Sequence, residues 1–178
     1  MKKINIFISF VLIVLINGCY SDTIDSFKTI IIQVPLNQDI VNFGNSRETI
    51  TPDNLNNYAD YRNNVDRIKS IQIYQVAYHA NEVYPEDAIS QRFKSMEFFV
   101  EINDKRYNIA RFEEISVQDM YRIPQIDQVD DATAEEMSEA LMINPAFTSI
   151  SIFDPYGDIY YERILSTMII VVKIEIEL

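Results

Sequence analysis

Residues 167–178 read as an alternating strand, apolar throughout 168–172: Ile170, Val172, Ile174, Ile176 and Leu178 fall on one face, Lys173, Glu175 and Glu177 on the other. Successive side chains of a strand point to opposite faces, so this period of two predicts a strand with all five aliphatic residues inward. An unpaired strand of this composition templates aggregation, so it must be held inside a sheet. The same period recurs upstream. In 27–36, Ile30, Ile32, Val34 and Leu36 share a face, and Pro35, which lacks an N–H, predicts the end of the strand at a sheet edge. In 68–78 the inward set begins with Ile71 and Ile73 and resumes with Tyr74, Val76 and Tyr78. That shift of phase indicates a β-bulge or a strand buried on both faces. Residues 95–102 place Met96, Phe98, Val100 and Ile102 on one face, Asn103-Asp104 turns, and 106–112 returns with Tyr107 and Ile109. The pair reads as a β-hairpin. A strand at 148–153, a turn at Asp154-Pro155-Tyr156-Gly157 and a return strand opening at 159–161 complete the set.

Helical spacing is confined to two places. Leu55, Tyr58, Tyr61 and Val65 predict a helix of two or three turns over 53–65, capped by Thr51 or Asp53 and weakened by five Asn. Thr133-Ala-Glu-Glu136 has the spacing of a capping box, followed by Met137, Ala140 and Leu141 and ended by Pro145. Segments 42–52 and 124–131 read as a turn-rich loop and a polar link. No strand–helix–strand rhythm runs through the chain. The expected fold is therefore all-β, an antiparallel sandwich of about seven strands with two short helices over residues 27–178. Only three glycines are present, so its turns must rely on Asn and Asp.

The front of the chain is of another kind. Met1-Lys2-Lys3 precedes an apolar run over 4–16, then Asn17-Gly18-Cys19. A basic start, a short apolar region and a small residue before a break describe a secretory signal rather than a membrane span. Ile16-Asn17-Gly18-Cys19 resembles the lipobox of bacterial lipoproteins, departing from it only in Asn17, where a small residue is usual. The resemblance implies removal of residues 1–18 as a signal peptide, lipid attachment (palmitate among the acyl groups) at Cys19, and residues 19–26 as a short tether. It also implies a membrane partner reached through that anchor. Eight residues span at most about 28 Å, so the folded domain sits close to the bilayer. Tyr20 follows Cys19 where Asp is the retention signal of enteric lipoproteins, which implies the outer membrane, on its periplasmic or surface face. The sandwich pattern is similar to the immunoglobulin-like domains of many uncharacterised bacterial lipoproteins.

Composition narrows the function. Cys19 is the only cysteine, so the domain holds together by packing without disulfides. Loss of Lys2 and Lys3 lowers Lys plus Arg from 15 to 13 against 27 acids, a formal charge of −14. Such a surface repels phosphate backbones, so no nucleic-acid partner is expected. His79 is the only histidine, which excludes multi-histidine metal sites and reads as a strand-end residue. Asp127, Asp130, Asp131, Glu135 and Glu136 form the densest group of oxygen ligands. A loop running into a helix could offer some of them to calcium, although the glycine and alternation of a calcium loop are lacking. Attraction of acids to the positive end of a helix dipole is the simpler account. Glu113 and Glu114 are adjacent on a strand and point to opposite faces, while Glu97 and Glu101 share a solvated face. No catalytic residue, metal or cofactor is assigned.

Tyrosine is the remaining signal. Tyr58 and Tyr61 on the first helix, and Tyr156, Tyr160 and Tyr161 around the late turn, form a candidate surface for a sugar or a protein. The leading expectation is a non-enzymatic, lipid-anchored envelope protein that binds protein or glycan. The alternative is a carrier of apolar molecules between envelope leaflets, with Phe98, Phe153 and Met168 lining a cavity between the sheets.

Overall fold

The computed structural model describes residues 27–41, 48–158 and 161–178; Cys19, the leader and the tether lie outside them. The period-two segments form eight strands: β1 (Phe27–Val41), β2 (Glu48–Asn54), β3 (Ile68–Tyr84), β4 (Arg92–Ile102), β5 (Lys105–Ser116), β6 (Gln125–Gln128), β7 (Ala146–Pro155) and β8 (Arg163–Glu177). They lie in two four-stranded antiparallel sheets, in the orders β1-β8-β3-β6 and β2-β7-β4-β5. First pairs with last, second with seventh, third with sixth, fourth with fifth. That nesting is the strand order of an eight-stranded jelly roll. It corrects the immunoglobulin-like order, which sets four strands against three, and the count of about seven.

The differences from the sequence reading have local causes. β1 runs on past Pro35 to Val41, because at a sheet edge a residue without an N–H costs no ladder bond on the open side. β2 arises inside the expected loop, where Thr49, Ile50 and Thr51 favour extended backbone, and it too is an edge strand that tolerates Pro52. The phase shift in β3 is a bulge: its register against β8 slips between Ile73 and Gln75. β8 starts at Arg163, so Tyr161 precedes it rather than opening a separate strand, and Leu178 lies past its end, exposed rather than inward. β6 occupies part of the expected polar link.

The predicted first helix is broken. A four-residue helix α1 (Ala59–Arg62) sits between 3₁₀ turns at Leu55–Asn57 and Val65–Arg67. Asn54, not Thr51 or Asp53, caps the first of these turns, and Val65 is exposed. A helix absent from the sequence reading, α2 (Val117–Arg122), starts at a capping box formed by Ser116 and Asp119. The last helix, α3 (Asp131–Ile143), is capped by Asp130, three residues before the Thr133 that opens its predicted box. At the β4–β5 turn, Asn103 (φ 52°) and Asp104 (φ 62°) adopt left-handed backbone without glycine, as Asn and Asp do most readily.

Phe98, Phe153 and Met168 are fully buried and fill the space between the sheets, with Phe98 and Phe153 edge to face at 6.3 Å. Within this apolar interior lies one polar layer. Gln38 of β1 donates its amide to Ser151 Oγ of β7 at 2.7 Å, joining the two sheets. Gln38 Oε1, Tyr78 Oη and Ser166 Oγ have no hydrogen-bond partner among the described residues. Burial pushes the Tyr78 hydroxyl above the usual tyrosine range; the Ser166 hydroxyl beside it opposes that without completing a bond.

Two predictions follow from this packing. Phe98→Ala lowers unfolding stability by about 3–5 kcal/mol, whereas Tyr78→Phe, which deletes an unpartnered buried hydroxyl, raises it by about 1 kcal/mol. Urea denaturation of both variants checks the pair. The second concerns acid. Asp39 is held below the ordinary aspartate value by its bonds from Arg163, Asp119 by Ser116, Asp130 by Thr133, and Glu175 by Lys173. A carboxyl depressed by folding contributes stability present above its unfolded pKa and lost as pH falls through its folded one. Thermal stability therefore declines below about pH 4, and Asp130→Asn, which keeps the cap but not the charge, flattens that decline.

Candidate functional site

The end of the sandwich where β3 finishes carries a cleft of about 430 Å³. It is lined by Asn81, Glu82, Tyr84 and Glu86, by Ile89 from the 3₁₀ turn Glu86–Ser90, and by Tyr121 of α2. A second register slip in β3, between Ala80 and Glu82, accounts for the polar wall. A bulge adds a residue to one strand, and here both Asn81 and Glu82 face solvent instead of alternating. Helix α2 buries Val117 and Met120 and leaves Tyr121 outward over the cleft.

The wall is hydrogen-bonded in a chain across three strands. Asn81 donates its amide to Thr167 Oγ1 at 2.9 Å, and Thr167 donates to Asn37 Oδ1 at 3.2 Å. The Asn81 oxygen is then left to accept from His79 Nδ1 at 3.1 Å, so that ring carries its proton on Nδ1. Tyr121 stacks on the same imidazole, with ring centres 6.4 Å apart and planes inclined by 24°. His79 is thus set in mid-strand within a polar network rather than at a strand end. Tyr84 donates to Glu82 Oε2 at 2.5 Å, a bond that pushes the phenol above its usual range. A smaller depression of about 260 Å³, lined in part by Ala77, Thr167 and Ile169, shares Asn81 with the cleft. Aromatic faces, two carboxylates and an amide converging on one concavity can stack and hydrogen-bond a polyol or a polar peptide segment.

The five tyrosines expected to form a surface are dispersed. Tyr61 is buried, and Tyr58, half-buried, donates to Asp53 Oδ2 at 2.6 Å. Both follow β2, at the end of the sandwich where β7 begins, since Leu55 N donates to Pro145 O at 3.0 Å. Tyr156 and Tyr161 lie past the other end of β7. Tyr161 is buried, 6.1 Å from the Phe93 ring. Tyr156 is exposed, donates to Glu114 Oε1 at 2.6 Å, and has Arg92 and Lys94 each 5.9 Å from its ring centre. Tyr160, like Cys19, lies outside the described residues.

The acids of the sequence reading also part company. Asp130 caps α3, Asp127 accepts from Gln128 N, and Glu136 pairs with Lys105 at 2.6 Å. Among the described residues no group of three or more His, Cys, Asp or Glu is arranged to hold a metal ion. Glu97 and Glu101 lie on the solvated face of β4, paired with Arg111 and Arg106. Glu113 and Glu114 do not oppose one another across the sheet as strand alternation predicts. Glu114 has left-handed backbone (φ 54°), so both are exposed, Glu113 on Arg111 and Glu114 on Tyr156.

The cleft residues Tyr84 and Tyr121 were not among those singled out by sequence. Ser116-x-x-Asp119, the spacing of a capping box, was the available sign of the helix that presents Tyr121.

No protein-family model matches the chain, and no curated protein matches it. Among solved structures it is similar to Desmodium yellow mottle tymovirus, at 10% identity over 85% of this chain and 84% of that one, with a TM-score of 0.38. It is also similar to the decameric BFDV capsid protein, at 8% identity over 83% and 98% of the two chains, with a TM-score of 0.42.

Proposed function

We propose that this protein is a lipid-anchored component of the bacterial envelope, held to the outer membrane through Cys19. It is a non-enzymatic module that binds a protein or glycan in the cleft formed by Glu82, Tyr84, Glu86 and Tyr121. One observation carries the reading: the cleft and the start of the domain lie at opposite ends of the sandwich. Phe27, where the tether joins, pairs with Glu177, while Val41 and Tyr84 both pair with Arg163 at the other end of β8. Fifteen residues of β1 separate the two levels, about 50 Å at the rise of a strand. A ligand site placed so is presented away from the bilayer. The carrier reading needs a space between the sheets that Phe98, Phe153 and Met168 occupy.

Cys19→Ser releases the protein from the membrane fraction into the soluble one, and mass spectrometry of native material finds an acylated mature residue 19. Continued sedimentation of the Cys19→Ser protein with membranes contradicts the anchor. Tyr84→Ala and Tyr121→Ala, each removing exposed aromatic surface, weaken binding to isolated peptidoglycan, surface polysaccharide or envelope proteins by about tenfold. Unaltered binding by both variants moves the ligand elsewhere.

A further inference from the structure

Apart from Ile31, Ile50 and Ile126, which lie along the sheets, the exposed large apolar side chains among the described residues stand at the two ends of the sandwich, and their chemistry differs. At the cleft end, Tyr84, Tyr121 and Tyr156 each have a polar partner or a stacked one: Glu82, His79 and Glu114 respectively. Ile123 is the aliphatic exception there. At the opposite end none of the exposed apolar side chains carries a hydroxyl. Phe27 (56% exposed) opens β1, Leu178 (66%) follows the end of β8, and Val65 (48%) stands in the 3₁₀ turn leading into β3. Cross-strand register sets them at one level. Phe27 pairs with Glu177, the neighbour of Leu178, and Ile176 pairs with both Lys28 and Ile68. Met142 and Ile143, exposed in the last turn of α3, lie at the same end, since neighbouring Asn144 bonds Asn103 in the β4–β5 turn.

We infer that this end, through Phe27, Val65 and Leu178, docks on the hydrocarbon margin of a lipid bilayer. The inference rests on the anchor proposed above and adds an orientation to it. Phe27 is the residue to which the chain from Cys19 leads, and the eight residues of 19–26 reach no farther than about 28 Å. Whatever surface carries the acyl chains therefore meets this end first. Immediately around Phe27, Val65 and Leu178, over 27–29, 55–70 and 174–178, Lys28, Arg62, Arg67 and Lys69 balance Asp60, Asp66, Glu175 and Glu177, while the acids Asp104, Asp130, Asp131, Glu135, Glu136 and Glu139 stand at the same end toward α3. Apolar side chains with locally balanced charge beside them suit the head-group boundary of a zwitterionic bilayer, where proteins that lie on a membrane bury their apolar residues.

The test uses the full lipidated chain in phosphatidylcholine vesicles, some carrying brominated acyl chains. With Cys19 acylated, Val65→Cys supplies a single free thiol for a polarity-sensitive fluorophore, and Asp158→Cys supplies the control at the cleft end. The label at 65 loses about half its emission to the brominated chains, as a group buried at the acyl boundary does, while the label at 158 keeps its emission. Adding Phe27→Ser and Leu178→Ser to the Val65→Cys chain abolishes that quenching without detaching the protein. Equal emission from both labels on vesicle-bound protein overturns the docking and leaves the anchor standing. Protein that does not bind the vesicles, with an unmodified Cys19 by mass, removes the anchor and the docking with it.

Discussion

The fold depends on β8 being paired on both sides. Its fifteen residues meet β1 in continuous register from Phe27↔Glu177 to Val41↔Arg163, and on its other edge it meets β3 through three register slips. β1 has no other strand neighbour in its sheet, and β6 holds β3 over only four residues. Without β8 the first sheet has no middle. The first and last strands are also the most distant in sequence, so this pairing is reached last in any local order of assembly. Nesting eases it. Once the β4–β5 hairpin forms, bringing β3 to β6 closes only the two short connections around it. Joining β2 to β7, and then β1 to β8, closes further segments of the same modest kind. Loop-closure entropy rises slowly with length, by about 0.6 kcal/mol per doubling, so the equilibrium cost of so remote a pair is small. The cost falls on rate, because such topologies fold slowly.

A sandwich without disulfides must also stop its sheets from sliding. Shape contributes, through Phe98, Phe153 and Tyr78, whose ring lies 4.9 Å from that of Phe98. The bond from Gln38 to Ser151 adds direction, since hydrogen bonds have geometry and hydrophobic contacts do not. A slip of one residue in β1 would turn Gln38 to solvent and Asn37 inward, stranding Ser151 in an apolar core. The unpartnered Gln38 Oε1, Tyr78 Oη and Ser166 Oγ mark the cost of keeping polar groups at that level.

Strands with one buried face were legible in the sequence, because period two survives whatever order the strands adopt. Ile32, Val34 and Leu36, Met96 to Ile102, and Ile170 to Ile176 are buried as their spacing requires. Strand order was not legible, since alternation names a strand's inner face but not its neighbour. Two short edge strands were lost for a related reason: β2 and β6 contain the turn residues Pro52, Asp53, Asn54 and Asp127, which edges tolerate and interiors do not, whereas the longer edge strands β1 and β5 kept a readable period. The 53–65 helix failed because its asparagines compete for the backbone: Asn54 caps a 3₁₀ turn and Asn64 bonds Asp60 O instead of prolonging α1. The candidate site was the least legible part. Tyr84 and Tyr121 are 37 residues apart in number, and only the bulge before Glu82 and the cap at Ser116 bring both to one cleft. Counting tyrosines by local density selected Tyr61 and Tyr161, which are core residues.

The jelly-roll order itself separates the two ends of the molecule. Antiparallel nesting sends the chain's entry, the end of β8 and the 55–67, 103–104 and 129–145 connections to one end of the sandwich. The connections after β3, β5 and β7 go to the other. Any surface built from the second set is therefore held a strand's length from whatever the first set touches. The side chains follow this division. The exposed rings of Tyr84, Tyr121 and Tyr156, each with a polar or stacked partner, stand at one end, and Phe27, Val65 and Leu178, which have no polar side-chain atom, at the other. Hydroxyl-bearing aromatics keep part of their hydration and are useful where a polar ligand is to be stacked. Bare hydrocarbon gains only by leaving water altogether. A single fold axis thus supports two opposite demands without compromise in either, since the core between them needs nothing from the surfaces at its ends.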